Sequence, residues 1–333
     1  MDPVKWGIIS TAKIGREKVT PAMQQGNAVQ IEAIASRDLD AARKVANDLG
    51  IPKAYGSYEE LFNDPEIEAV YNPLPNHLHV PVTIQAAEAG KHVLCEKPIA
   101  LTADEAARLI EVRDRTGVRI EEAFMVRHHP QWRRAREIVR EGLIGELRAF
   151  QAFFSYMNLD PENIRNKADI GGGGIYDIGC YPTVTARFIF GDEPTRAVAL
   201  IERDPDLKTD RLASAILDFP KGHATFTCST QLLPFQRVEI LGTKGRIEVR
   251  IPYNAPPDAP CRILVDTQGA LGDASAEPQD FSVVNQYTLQ GEAFSEGIRN
   301  GTPPEFPVED AVKNMRVIDA LFRSGESGGW EQV

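Results

Sequence analysis

Residues 4–15 read VKWGIISTAKIG. An apolar run ends at Ile9 and passes through a short turn into a stretch that can be helical. This is where a dinucleotide-binding domain places its Gly-x-Gly-x-x-Gly turn. Here the first two glycine positions hold Ser10 and Ala12, and Gly15 alone keeps the pattern. In such a turn the first glycine permits the tight reversal and the second lets backbone approach a pyrophosphate. Ser10 and Ala12 are small enough for a slightly wider turn, and the helix N-terminus attracts an anion without needing a glycine. Ser10, Thr11, Ala12 and Ile14 therefore form the candidate phosphate loop. An ordinary strand–turn–helix is the competing reading of the same stretch.

The remainder of the first 123 residues decides between them. Short apolar runs at 29–36, 68–72, 91–95 and 118–123 alternate with helical periodicity, as in Leu39, Ala42, Val45, Ala46 and Leu49. This alternation predicts parallel strands joined by right-handed crossovers. SYEE (57–60) and TADE (102–105) read as capping boxes, in which a hydroxyl takes the third helical N–H and Glu returns to the N–H of the cap residue. Beyond about residue 125 the texture changes. A helical stretch, 127–145, is followed by runs at 146–157, 195–202, 211–219, 223–230, 237–243 and 246–252, several of them alternating apolar and polar residues. That suits an antiparallel sheet with one covered face. IPYNAPPDAP (251–260) reads as a Pro-rich surface loop, and helices are expected around 285–300 and 308–324. The predicted fold is α/β: a doubly wound parallel Rossmann sheet over 1–123, then an α+β domain over 124–333 with a large, mostly antiparallel open-faced sheet. A site is expected where the two meet.

The bulk composition excludes several classes. The chain has 333 residues, is 42% hydrophobic and carries a net charge of −11, with no basic block. Nucleic acid and anionic membranes are poor partners for it. No apolar run approaches the ~20 residues of a membrane span. The four cysteines form no C-x-x-C pair, so reduced thiols and a cytoplasmic location are expected. The N-terminus enters a strand almost at once, without the features of a signal peptide, which agrees with that expectation.

Four further stretches carry chemistry. An acidic residue about 20 positions after the loop grips the ribose 2′-hydroxyl of NAD. Here the second strand ends in Ser36 and Arg37, a hydroxyl and a guanidinium suited to a 2′-phosphate. NADP is expected over NAD; the competing reading leaves Arg37 as a surface residue and gives Asp38 the acidic role. YNPLPNHLHVP (71–81) makes a rigid loop at a strand end, with Asn72, Pro73, Leu74, Asn76 and His79 read as a wall beside the cofactor. His77 and His79 lack a third ligand at usual spacing, so no metal is expected. In CEKPIA (95–100), Glu96 and Lys97 sit where a strand ends and are read as cofactor contacts; a lysine in a partly dry crevice can polarise a hydroxyl or carbonyl, and a strand-end charge pair is the competing reading. In GGGGIYDIGCY (171–181), Asp177 and Tyr181 are four residues apart and share a helical face that is otherwise apolar. A carboxylate and a phenol placed there need a partner or a task. Cys180 reads as a small packing residue.

Together these stretches resemble the glucose–fructose oxidoreductase / inositol dehydrogenase / MocA (Gfo/Idh/MocA) family over essentially the whole length. The matches are the strand–turn–helix at 4–15, PNHLH (75–79), EKPIA (96–100), EAFMVRHHP (122–130) and GGGGIYDIGCY (171–181). The resemblance implies that Lys97 is the catalytic lysine, that the Lys97–Pro98 bond is cis, and that Asp177 is the catalytic-helix aspartate. Tyr181 stands where the inositol dehydrogenase branch has histidine. This places the chain nearer the tyrosine-bearing branch, with xylose dehydrogenase, dihydrodiol dehydrogenase and glucose–fructose oxidoreductase. NIRNKADIGGG (163–173) is similar to that branch too, and implies that Arg165 contacts cofactor or substrate.

The expected activity is NAD(P)-dependent hydride transfer with a sugar or polyol, foremost oxidation of an aldose at C1 to a lactone. Reduction of an anhydrosugar or dicarbonyl, oxidation of a trans-dihydrodiol, and a non-catalytic cofactor-binding sensor are the alternatives. Tyr181 is expected as acid/base, with Lys97 tuning it and Asp177 orienting substrate hydroxyls or the lysine. Arg127, Asn163 and Tyr287 join Lys97, Asp177 and Tyr181 as candidate substrate contacts. Threonines and β-branched residues on the later strands point to a homodimer or homotetramer packed through the C-terminal sheet.

Overall fold

A computed structural model describes residues 2–269 and 272–333. The chain divides into two compact units, Met1–Met125 with Asn285–Val312, and Val126–Val284 with Lys313–Val333. The segment 285–312, expected from sequence to lie beyond the 123/124 boundary in the second domain, packs with the first unit.

Among the described residues, the first unit holds a six-stranded parallel sheet: β1 (Val4–Ile9), β2 (Val29–Ala35), β3 (Lys53–Tyr55), β4 (Ala69–Asn72), β5 (His92–Cys95) and β6 (Ile120–Glu122). Their spatial order is β3-β2-β1-β4-β5-β6. The order reverses between β1 and β4, and a doubly wound sheet opens its ligand crevice at the carboxyl ends of the strands beside that reversal. Ser10 and Pro73 come directly after those two strands. The central strands β1, β4 and β5 are almost wholly buried, as in a sheet covered on both faces. Trp6 is fully buried, 5.1 Å from the Phe294 ring, and its indole N–H donates to Ser295 Oγ at 3.0 Å. The helix Gln286–Asn300 is fastened further by Thr288, which donates to the Ala22 carbonyl, and by Arg299, bidentate on Glu68.

Both capping boxes form, with one change. Ser57 and Thr102 accept the Glu60 and Glu105 amides. The glutamates, however, reach one residue further back, to the N–H groups of Gly56 and Leu101.

The second unit is built on a nine-stranded sheet. Its strands are β7 (Leu147–Met157), β8 (Arg196–Arg203), β9 (Asp210–Phe219), β10 (Gly222–Ser229), β11 (Gln231–Gly242), β12 (Arg246–Val249), β13 (Cys261–Asp266), β14 (Glu277–Phe281) and β15 (Glu331–Gln332). The order among the described residues is β14-β13-β12-β11-β7-β10-β9-β8-β15, antiparallel except for the β7–β10 pair. Alternate residues such as Phe150, Ala152, Phe154, Leu217, Phe226 and Ile240 are buried, and the helix Cys180–Phe190 packs against β7 on the covered side. The intervening positions form the other face, where Leu200 and Leu233 are 80% and 81% exposed and Phe235 is half exposed.

The loop 251–260 is not wholly superficial. Gln131 and Trp132 donate to the carbonyls of Ile251 and Pro252, and Tyr253 is fully buried, stacked on Phe154 at 4.8 Å. Composition correctly marked the segment as irregular, but aromatic stacking draws its tyrosine into the core.

Candidate active site

In the first unit, the turn after β1 makes its reversal without a glycine. Ser10 adopts φ +67°, a left-handed conformation that is uncommon outside glycine. Its hydroxyl accepts the Ala12 N–H at 3.2 Å, a local bond that offsets part of the cost. Ile14 packs against the apolar core, and Gly15 begins a wide π-type turn, Gly15–Val19.

The end of β2 separates the two cofactor readings. Asp38 is spent as a helix cap: its carboxylate accepts the Asp40 and Ala41 amides. Ser36 accepts the Asp38 N–H, and the exposed Arg37 guanidinium hydrogen-bonds with the Tyr58 phenol. A hydroxyl and a cation therefore stand at the strand end while the carboxylate is committed elsewhere, and these residues fit a phosphorylated ribose.

The wall after β4 is largely self-supporting. Asn72 is buried, donates to the His79 carbonyl and Thr83, and accepts the Leu74 N–H. His79 is also buried, with its ring nitrogens 2.7 Å from the Pro98 carbonyl and 2.6 Å from the Leu74 carbonyl. Burial pushes its pKa down to about 4, against the pull of those two carbonyls. The side chains of Asn72 and His79 thus brace two loops. Pro73, Leu74 and Asn76 lie between them, with Pro73 and Leu74 buried.

The Lys97–Pro98 peptide bond is cis. The turn that carries Lys97 is held from three directions. Tyr71 donates to Glu96 Oε1 at 2.6 Å, His79 engages the Pro98 carbonyl, and Glu122 accepts the Ile99 N–H at 2.8 Å. Glu122 was not singled out in the sequence.

In the second unit, Asp177 lies in a π-type turn, Ile175–Gly179, and Tyr181 in the first turn of the helix that continues from it. The straight α-helical spacing assumed from sequence is widened here, a departure that often marks functional sites. Asp177 is held by Arg165 Nε at 3.0 Å and by the Tyr156 hydroxyl at 2.6 Å, leaving its side chain 14% exposed. The Asp177 charge keeps Arg165 firmly protonated. Burial, with Asp177 beside it, pushes the Tyr156 phenol well above its ordinary range, so it remains a donor. Tyr156 escaped notice in the sequence because it reads as one more aromatic of a strand. Asn163 accepts the Arg165 N–H and shapes the loop that delivers the guanidinium. The Tyr181 ring is buried against Phe154 and Tyr253, at 5.8 and 5.4 Å. Arg127 is buried in this unit, whereas Tyr287 belongs to the first and packs on the core of its sheet. Cys180 is buried, consistent with a packing role.

Among the described residues, no group of three or more His, Cys, Asp or Glu side chains is arranged to hold a metal ion, and no helix is long and apolar enough to cross a membrane.

Comparison with known proteins agrees with this geometry. Residues 4–124 match the oxidoreductase family with an NAD-binding Rossmann fold, and residues 132–248 match the Gfo/Idh/MocA C-terminal domain. The chain belongs to the Gfo/Idh/MocA family of oxidoreductases. It is 52% identical to an uncharacterized oxidoreductase, ORF334, of Rhizobium meliloti, over 100% of both chains. It is 38% identical to D-xylose 1-dehydrogenase (NADP+) 2 of Haloferax volcanii, over 97% of this chain and 98% of that one. Among solved structures it is similar to KijD10, a 3-ketoreductase from Actinomadura kijaniata in complex with NADP and TDP-benzene, with a TM-score of 0.90 at 29% identity, covering 97% and 98% of the two chains.

Proposed function

We propose that the protein is an NADP-dependent sugar dehydrogenase that oxidises an aldose at C1 to the lactone. The observation that carries this reading is the Arg165–Asp177–Tyr156 cluster beside Tyr181, joined to full-length similarity with a xylose 1-dehydrogenase. The bound nicotinamide supplies the hydride acceptor at its C4. In this proposal Tyr181 takes the proton from the C1 hydroxyl. Free tyrosine has a pKa of ~10, too high for a good base at neutral pH. Lys97 supplies the cation that lowers it and stabilises charge on the substrate oxygen. Asp177, held by Arg165 and Tyr156, orients neighbouring sugar hydroxyls. The second reading, reduction of a keto sugar, draws on the likeness to the 3-ketoreductase and uses the same groups in reverse. Absorbance at the reduced-nicotinamide band separates them. A rise with NADP+ and an aldose supports the dehydrogenase, whereas turnover confined to NADPH with a ketone supports the reductase.

Ser36 and Arg37 would hold the 2′-phosphate. Removing a hydrogen bond to a charged group costs about 1.5–3 kcal/mol. Arg37→Ala is therefore expected to weaken NADPH binding about 10–100-fold while NADH binding changes little. Fluorescence titration measures both, and parallel loss of the two would contradict the assignment.

A second copy of this chain is the proposed occupant of the open sheet face. That face forms a concavity of about 690 Å³ lined by Phe153, Leu200, Ile216 and Phe235, with Arg237 and Glu239 at its polar side. A two-fold pairing can oppose these last two residues across the interface. Light scattering on a sizing column is expected to report a dimer or tetramer, and Leu200→Asp with Phe235→Asp a smaller species. A monomeric wild type at micromolar concentration contradicts it. The four buried free cysteines support a reducing, cytoplasmic setting.

A further inference from the structure

We propose that Asp210 is a positioning residue: its carboxylate fixes the start of the Asp177/Tyr181 helix and the Arg165 loop in one register. The inference rests on the roles proposed above for Asp177 and Tyr181. It begins from the four glycines at 171–174, whose purpose the sequence left open. Gly172 and Gly173 donate their N–H groups to the carbonyls of Lys167 and Arg165. A Cβ on Gly172 would lie 2.6 Å from both carbonyl oxygens. Gly173 has φ +124°, and a Cβ there would lie 1.9 Å from Asp210 Oδ1. The glycines thus let the Arg165 loop, the helix start and one carboxylate close on a single point.

That carboxylate is 1% exposed at the first residue of β9. It accepts the Ile175 N–H at 2.6 Å and a second from Gly174, the orphan donors of the turn that carries Asp177. Asp177 in turn donates its N–H to the Gly173 carbonyl. A rotation of this turn would therefore carry Asp177 away from Arg165 and Tyr156. The ionisable groups facing Asp210 are Arg203, its cross-strand partner on β8, Tyr156 on β7 and Cys228 on β10. Burial pushes both the phenol and the thiol up, so neither ionises near neutrality. Burial also pushes Asp210 up to about 6, against the amides that favour its anion. Protonation below that pH withdraws an acceptor from the helix start.

Asp210→Asn keeps the shape and replaces one acceptor with a donor. At pH 7.5 it is expected to lower kcat about 10–100-fold, because small misplacements near the chemistry are costly. NADPH affinity should hold. In the wild type the pH profile of kcat should carry a break near pH 6 in addition to the rise toward higher pH that Tyr181 imposes on oxidation, and the variant should lose the break while keeping the rise. Amide hydrogen exchange across 173–181, which needs no substrate, should accelerate in the variant. Faster exchange therefore supports the positioning role even if no sugar is turned over, an outcome that would sink only the proposed activity. Unchanged kcat with unchanged exchange would overturn the inference. So would a fall in kcat that leaves the break near pH 6 in place. If the variant does not fold, a wild-type kcat profile with no break near pH 6 decides against it.

Discussion

Replacing Tyr181 with phenylalanine is expected to lower kcat by about 10²–10⁴-fold, the range for loss of a general acid–base group. Cofactor affinity and thermal stability should stay near wild type. The buried ring contacts Phe154 and Tyr253, and phenylalanine can keep both contacts. The variant therefore removes an oxygen without opening a cavity. The role sets the direction of the pH dependence: oxidation requires the phenolate and rises with pH, and reduction requires the phenol and falls. Steady-state kinetics in both directions, with a fluorescence titration of NADPH, reads all of this. If Tyr181→Phe retains most of its turnover while Lys97→Met loses it, the proton-transfer group is Lys97.

The second large effect is structural and belongs to Gly173. Gly173→Ala forces an L side chain into φ +124° and sets a methyl against the Asp210 carboxylate. Such a backbone conformation costs of order 1–3 kcal/mol by itself. Displacing a buried carboxylate from its amides adds to this, since unsatisfied buried groups cost about 1–3 kcal/mol or more. A total loss of about 3 kcal/mol or more is expected, read as a fall in the urea midpoint. Gly117→Ala is the control: its φ is +73° with nothing within 4 Å, so only about 1–2 kcal/mol is expected. Equal losses at the two positions would mean that contact with Asp210 contributes nothing.

Much of the fold was legible because its signals are local. Strands 29–35, 69–72 and 92–95 are short runs dominated by β-branched or apolar residues, and Ser57 and Thr102 are strong caps. Short or polar strands were not legible. Lys53–Tyr55 has only three residues, and Glu277–Phe281 is mostly exposed at a sheet edge, so neither carries a hydrophobic pattern. The packing of Gln286–Asn300 against β1 was invisible for another reason: the contact of Trp6 with Ser295 spans 289 positions of chain. At the site, motif residues such as Lys97, Asp177 and Tyr181 could be picked out by type and spacing. The residues that fix them could not. Glu122, Tyr156 and Asp210 act through one or two hydrogen bonds across the fold, and no periodicity marks such a residue. Asn72 and His79, read from sequence as part of the wall beside the cofactor, have side chains that engage neighbouring backbone and so brace that wall.

The most direct test of the proposed reaction is isotopic. An aldose deuterated at C1 is incubated with the enzyme and NADP+, and the products are analysed by NMR. Deuterium is expected at C4 of the nicotinamide, with a lactone without label and a slowed turnover if hydride transfer limits the rate. Deuterium released to water, or retained in an oxidised sugar, would contradict it.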